Sequence, residues 1–150
     1  MPDILVDADA CPVKEEVYRV ARRYGLKVIL VANSQMRIPS EDWLEQVVVR
    51  NEVDAADDWI ADRALKNDIV ISGDIPLASR CLKKGAQVLG PNGRAFTENS
   101  IGDALATREL MYHLRDIGIM TGGPAPFDKK DRSRFLQSLD KIIQSILRGK

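Results

Sequence analysis

The sequence has few of the residues that build disulfide-stapled or zinc-stapled folds: two cysteines, Cys11 and Cys81, and a single histidine, His113. Two widely separated cysteines do not make a disulfide framework, and they fit a reducing compartment. So small a set also disfavours a structural zinc site, which usually takes four nitrogen or sulfur ligands.

Long hydrophobic runs and a secretion signal are also missing. No stretch approaches the roughly 20 apolar residues needed to span a bilayer, and the start, Met-Pro-Asp, lacks the basic and apolar regions of a signal peptide. We therefore expect a cytoplasmic protein with no membrane association. A length of 150 residues fits one domain, residues 1–150, that can bury a substantial core.

The chain also lacks a net charge, because its 22 basic residues balance its 22 acidic residues. This argues against binding nucleic acid through bulk positive charge. The charges are nevertheless unevenly distributed: residues 52–62 carry five acidic residues and no basic one, whereas residues 128–150 carry seven basic residues and three acidic ones. An acidic pocket beside a basic tail suits a phosphate-bearing substrate held near a metal ion. A solvated basic helix face explains the tail equally well.

Short apolar runs rich in valine and isoleucine alternate with helical patterns. This alternation predicts a three-layer, doubly wound α/β fold with a mostly parallel sheet of about five strands. No strand is expected after residue 91. The expected strands are at 3–6, 27–32, 46–50, 68–72 and 86–90, and the expected helices at about 12–24, 54–66, 75–84, 100–116 and 129–148, with a turn or short helix near 40–45.

Acidic residues stand where two of the apolar runs end. Asp7 and Asp9 follow the first run, and Asp74 follows Ser72-Gly73 after a later one. Ligands bind at the carboxyl ends of the strands in open parallel sheets, and side chains two apart in a strand point to one face. Because these acids would repel each other, we expect a Mg²⁺ or Mn²⁺ ion between them. Alternatively, Asp9 and Asp74 cap the helices that follow them.

A further acidic cluster lies on the second predicted helix. Asp57 falls at the edge of an apolar stripe formed by Val53, Ala56, Ile60 and Ala64, so it should face inward, which is costly for an unpaired carboxylate. Asp58, on the flank of the stripe, could lean towards the same pocket. Asp54 is better explained as the N-cap of the helix.

Candidate substrate contacts are polar or basic side chains at the strand ends and at the start of the last helix: Asn33, Ser34, Ser72, Lys129, Lys130 and Arg132. The hydroxyl of Ser72 could bind a metal-bound water. The basic residues, together with Gly122-Gly123-Pro124, could close over a phosphate, although a turn before an exposed helix explains them as well. Cys11 lies near the acids, but nearby carboxylates raise a thiol pKa, so we expect a packed thiol.

Four segments, in order over nearly the whole chain, carry a resemblance to a known family: Asp7-Ala8-Asp9-Ala10-Cys11-Pro12, Asp54-Ala55-Ala56-Asp57-Asp58-Trp59-Ile60, Asp74-Ile75-Pro76-Leu77-Ala78 and Gly122-Gly123-Pro124. Together they resemble the YaiI/YqxD family of uncharacterised bacterial proteins. That family is similar to the PIN-like superfamily, which includes flap-nuclease and NYN groups. There, acids at the ends of parallel strands bind Mg²⁺ or Mn²⁺ and cleave phosphodiester bonds. The resemblance implies that Asp7, Asp57, Asp58 and Asp74 are metal ligands.

The chain departs from the superfamily pattern at two places. Pro76 stands where a second acid usually follows the Ser-x-Asp aspartate, and Gly90-Pro91-Asn92-Gly93 offers no acid after the fifth strand.

The leading hypothesis is a metal-dependent nuclease, acting on RNA rather than DNA, with Asp7, Asp57 and Asp74 as catalytic residues and Asp9 and Asp58 as further ligands. One alternative is a non-catalytic metal- or nucleic-acid-binding module of the same fold. Another is a haloacid-dehalogenase-like phosphohydrolase with an aspartate nucleophile. The last fits less well because Cys11 replaces the usual Thr or Val, and Ala78 replaces a later Asp.

Overall fold

The computed structural model of the chain describes residues 2–52, 54–103, 105–107 and 127–149. His113 and Gly122-Gly123-Pro124 lie outside the described residues, as does most of the helix expected at about 100–116. Within the described part of that region, residues 98–103 and 105–107 are helical.

Within the described residues, six strands form one sheet in the order β3-β2-β1-β4-β5-β6. The first five are parallel to one another, as the alternating pattern predicts, and β6 runs antiparallel to β5. The prediction of no strand after residue 91 is wrong, because a two-residue strand is too short to show a period. The strands are β1 (Ile4–Asp7), β2 (Val28–Ala32), β3 (Leu44–Val48), β4 (Ile69–Ile71), β5 (Gln87–Leu89) and β6 (Ala95–Phe96).

Helices cover both faces of the sheet. The first and the last pack on one face, and the second and third on the other, which gives the predicted three-layer, doubly wound arrangement. In place of the short helix considered near 40–45, residues 42–43 form a turn and β3 follows directly. Besides the helical residues 98–103 and 105–107, the described helices are α1 (Lys14–Tyr24), α2 (Ala55–Arg63), α3 (Ile75–Lys83) and α4 (Lys129–Leu147), and a 3-10 turn, Ala8–Ala10, precedes α1. Among the described residues, no helix is long and apolar enough to cross a membrane.

The position of β1 within the sheet explains why the sequence of this strand is an uninterrupted apolar run. Ile4 and Val6 pack into the cluster beneath α1 and α4, whereas Leu5 packs into the cluster beneath α2 and α3. All three side chains are fully buried. A parallel strand covered on both faces has no polar side, so its alternation disappears.

The loop after β5 fixes the position of α4. Gly93 has φ +86°, and a Cβ atom placed there would lie 2.6 Å from the backbone carbonyl carbon of Arg134. Ser138 of α4 also donates a hydrogen bond to the carbonyl oxygen of Gly93, at 2.6 Å. The first half of α4 therefore lies against the loop that follows the carboxyl end of β5.

Candidate functional site

Ser72 joins two of the acidic residues that follow the strands. β1 and β4 are neighbours, so Asp7 and the segment after β4 meet at the same edge of the sheet. The buried hydroxyl of Ser72 donates to Asp7 Oδ2 at 3.1 Å and accepts from the backbone N–H of Asp74 at 3.0 Å. Its hydrogen is therefore used by Asp7, and the contact with a metal-bound water expected from the sequence stays a prediction.

A cavity of about 290 Å³ opens at this point. It combines two carboxylates with a wall of apolar atoms and a thiol. Its lining residues are Asp7, Cys11, Ile71, Ser72, Gly73, Asp74 and Pro91. We call it the acidic cavity.

Asp74 has two functions in the local structure. Its Oδ1 atom accepts a hydrogen bond from the backbone N–H of Leu77 at 2.9 Å, so it caps α3, as one of the two sequence interpretations expects. It also lines the acidic cavity. Capping occupies only one of its carboxylate oxygens and holds the side chain in a fixed orientation.

The acids at this end of the sheet influence one another. Burial raises the pKa of Asp7; the hydrogen bond from Ser72 opposes this, and the charges of Asp74 and Asp9 add to it. Burial also raises the pKa of Asp57 to about 6, assisted by the charges of Asp74, Asp7 and Asp54 and opposed by Arg80. The half-buried Asp57 is thus within electrostatic reach of the acidic cavity, although it does not line it.

Asp58 differs from its neighbour. It is exposed, and its Oδ1 lies 2.8 Å from Nη1 of Arg80 on α3. One residue turns a helix by about 100°, so Asp58 meets α3 while Asp57 faces inward. The expectation that Asp58 leans into the pocket is therefore wrong. Asp54 is the N-cap residue of α2, as expected, but it has φ +66° and its side chain makes no capping hydrogen bond.

Asp9 lies on the 3-10 turn, beyond the end of β1, so the two-residue rule for strands does not place it beside Asp7. Its Oδ2 accepts a hydrogen bond from the backbone N–H of Asn33 at 2.9 Å. It does not cap α1, whose N-cap is Val13. Asp9 therefore joins the turn to the segment after β2, where Ser34 is exposed.

The side chain of Asn33 has an unusual environment. Its Oδ1 atom is buried and has no hydrogen-bond partner among the residues that the structure describes. Buried polar atoms are nearly always paired with protein, water or an ion. An unpaired oxygen therefore lies at the same edge of the sheet, next to Asp9.

The basic residues at the start of α4 separate into two groups. Lys129 and Lys130 are exposed. Arg132 instead donates from Nη1 to the carbonyl oxygen of Pro12 at 2.9 Å and to Oε1 of Glu16 at 3.0 Å. These bonds tie α4 to the start of α1, so the structure does not support a phosphate-binding role for Arg132.

Two residues that the sequence does not indicate complete the site. Lys14 donates from Nζ to the carbonyl oxygens of Ala8 and Cys11, each at 3.1 Å, and so holds the turn after Asp7. Pro91 supplies a wall of the acidic cavity from the loop after β5. Cys11 is buried, and burial raises its thiol pKa, in agreement with a packed thiol.

The two carboxylates of the acidic cavity offer oxygen atoms of the kind that a hard divalent cation takes as ligands. Within the described ranges, no three Asp, Glu, His or Cys side chains form a ready-made metal cluster. Mg²⁺ commonly binds through one or two carboxylates and keeps several waters, and Mn²⁺ also suits carboxylate and water ligands. Asp7 and Asp74 are two carboxylates at one cavity, and a cation there would relieve their repulsion with Asp57.

Comparison with known proteins gives a consistent result. A family model described as "Uncharacterized BCR, YaiI/YqxD family" matches residues 5–145. The UPF0178 protein of Rhodospirillum centenum is 56% identical over 154 residues, covering 100% of both chains. That of Brucella ovis is 58% identical over 147 residues, covering 97% of this chain and 91% of its own. No solved structure matches the chain. These names state no activity.

Proposed function

Because the chain belongs to the YaiI/YqxD family, whose name carries no activity, we propose its function from the site: a divalent-metal-dependent nuclease that hydrolyses phosphodiester bonds in RNA rather than DNA. The observation that carries the proposal is the acidic cavity, where Asp7 and Asp74 meet through Ser72. We also assign the chain to the PIN-like superfamily, on the order of its strand-end acids.

In this proposal Asp7 and Asp74 hold one Mg²⁺ or Mn²⁺ ion, and Asp57 contributes through a water molecule. When bound, the ion lowers the pKa of a coordinated water and neutralises charge on the phosphate. Ser72 orients the Asp7 carboxylate, and the capping bond to Leu77 orients Asp74. Both ligands are therefore preorganised.

The apolar part of the cavity wall contributes to the same chemistry. Ile71 and Pro91 lie beside the two carboxylates, and the buried Cys11 lies with them. Such walls displace water from around the carboxylates, which strengthens electrostatic interactions inside the cavity. Asp57, with a pKa of about 6, is mostly ionised at neutral pH and adds negative charge that attracts the ion.

The structure also limits how far the superfamily pattern applies. Asp58 is engaged by Arg80, and no acid follows β5, where Gly90 and Pro91 stand. The site therefore has fewer carboxylates than the flap-nuclease pattern, which favours one ion rather than two. The same shortage supports the second candidate, a non-catalytic metal- or nucleic-acid-binding module, since no described set of three ligands is already assembled.

The proposal is tested by incubating the protein with end-labelled single-stranded RNA, and with DNA of the same sequence, in Mn²⁺, Mg²⁺ or a chelator. We expect metal-dependent internal cleavage of RNA that falls by more than about 100-fold in Asp7→Asn and Asp74→Asn, since a catalytic ion supplies several kcal/mol. Asp42→Asn, in the exposed part of the β2–β3 connection, is the matched control and should cleave normally.

Two results would replace the proposal. If calorimetry shows Mn²⁺ binding but neither nucleic acid is cleaved, the chain is a binding module. If a small phosphomonoester is turned over and a phosphoryl group is trapped on Asp7, the chain is a phosphohydrolase with an aspartate nucleophile.

A further inference from the structure

The exposed face of the first turns of α4 forms a shallow groove of about 400 Å³, which we call the basic groove. It is lined by Lys129, Lys130, Ser133, Arg134 and Gln137. Side chains three or four residues apart share one face of a helix, so these five lie on one face of α4. The nearest acid on the helix, Asp131, is engaged in the capping box with Asp128 and lies 3.5 Å from Arg134.

The basic groove begins close to the acidic cavity. Arg134 donates to the carbonyl oxygen of Asn92 at 3.4 Å, and Pro91, the preceding residue, lines the acidic cavity. On the other side of α4, Arg132 contacts the carbonyl oxygen of Pro12, which follows Cys11 of the same cavity wall. The start of α4 therefore contacts the chain at two places that each adjoin a residue lining the acidic cavity.

We infer that the basic groove binds the phosphate backbone of a single-stranded nucleic acid whose next phosphate lies in the acidic cavity. This inference deepens the proposed function, on which it rests. The chain has no net charge, so attraction of a polyanion must come from a local group of cations such as this one. Lys129, Lys130 and Arg134 offer three cations in succession, which suits a repeating phosphate chain better than a single phosphate group.

The size of the acidic cavity favours a single strand. A volume of about 290 Å³ admits a phosphate and part of one nucleotide, and a flexible single strand can direct a nucleotide into it without the energy that unpairing a duplex costs. Contacts made mainly to phosphates carry no sequence information, so we expect binding with little sequence preference.

The two arginines of this region have different roles. Arg134 is partly exposed, and its hydrogen bonds to the described residues are long, at 3.4 Å to the carbonyl oxygen of Asn92 and 3.5 Å to Asp131, so it is available to phosphate. Arg132 pairs with the buried carboxylate of Glu16 and holds α4 against α1. Replacing Arg132 should lower the stability of the fold and leave the salt dependence of binding unchanged. Replacing Arg134 should instead weaken the salt dependence of binding and leave the stability unchanged.

The test compares two double variants that remove one lysine and one arginine from the same helix. Lys130→Ala/Arg134→Ala removes cations of the basic groove, and Lys141→Ala/Arg148→Ala removes exposed cations from the far end of α4. The two variants have equal net charges, so any difference in the salt dependence of their binding reports where along the helix the removed cations lie. Both are made in the full chain carrying Asp7→Asn, and binding to a labelled single-stranded RNA is measured by anisotropy in chelator at several salt concentrations. Thermal unfolding confirms that each variant folds.

We expect the slope of log K against log salt to become shallower by about 1.4 in the groove variant, since each phosphate contact on a single strand contributes about 0.7. The far-end variant should keep the parental slope. Equal slopes in the two variants, or tighter binding of a duplex than of the single strand, would overturn the inference. If the groove variant does not fold, Lys129→Ala/Lys130→Ala provides the same comparison at exposed positions.

Binding and cleavage separate this inference from the proposed function. If the unmodified chain binds RNA through the basic groove with the expected salt dependence but does not cleave it, the inference about the groove is supported and the proposed nuclease function is wrong. If the unmodified chain cleaves RNA but the two double variants have equal slopes of log K against log salt, the nuclease function is supported and the inference about the groove is wrong.

Discussion

Asp57 gives the site a measurable dependence on pH. Its pKa is raised from 3.8 to about 6, so the folded protein binds more protons than the unfolded chain between those values. The metal-free protein should therefore lose stability as pH rises through this window. Asp57→Asn removes the group, so we expect the variant to become more stable relative to the parent from about pH 4 to pH 6, with no further gain above. Urea unfolding in chelator at several pH values measures this.

Asp42→Asn, at an exposed position, is the matched control and should show a difference from the parent that does not change with pH. A pH-independent difference for Asp57→Asn as well would contradict the raised pKa that burial and the nearby charges of Asp74 and Asp7 give to Asp57.

At the residue scale, sequence reasoning succeeds where position along the chain decides the outcome. Asp7 and Asp74 follow apolar strands, and the end of a parallel strand fixes where such residues lie. Prediction from the sequence fails where a partner distant along the chain decides the position of a side chain. Asp58 pairs with a residue 22 positions away, and Arg132 with one 116 positions away, and neither pairing leaves a local signal.

At the scale of elements, the packing of α4 against the β5–β6 loop is the feature most sensitive to a single substitution. Gly93→Ala imposes a positive φ on alanine and places its Cβ 2.6 Å from backbone atoms that cannot move cheaply. Gly25→Ala imposes only the positive φ, because nothing lies within 4 Å of its Cβ. We expect Gly25→Ala to cost about 1 to 2 kcal/mol of unfolding free energy and Gly93→Ala about 1 to 3 kcal/mol more, measured by urea unfolding.

Similar losses in the two glycine variants would show that α4 does not approach the loop so closely.

The predicted elements themselves agree with the structure where their apolar period is long enough to read, as in α4, expected at 129–148 and found at Lys129–Leu147. The two residues of β6 give no period, and their pairing depends on β5.

At the scale of the whole molecule, the fold brings two opposite charge groups to one edge of the sheet. The acidic cavity forms at the ends of β1 and β4, and α4 brings its basic groove beside it through the loop after β5. The sequence predicts the acids of the cavity from their positions after the strands, and the basic tail from its charge. It also suggests an acidic pocket beside that tail, but it does not show which tail residues approach the cavity, because that depends on the contact between Gly93 and Arg134, which only the folded chain creates.

The central claim is that Asp7 and Asp74 together hold one divalent ion, and it is tested most directly by anomalous scattering from crystals grown with saturating Mn²⁺. The account predicts a single peak in the acidic cavity, about 2.1 Å from an oxygen of each of these carboxylates. No peak there, or a manganese ion bound at another site without contact to Asp7 and Asp74, would contradict it.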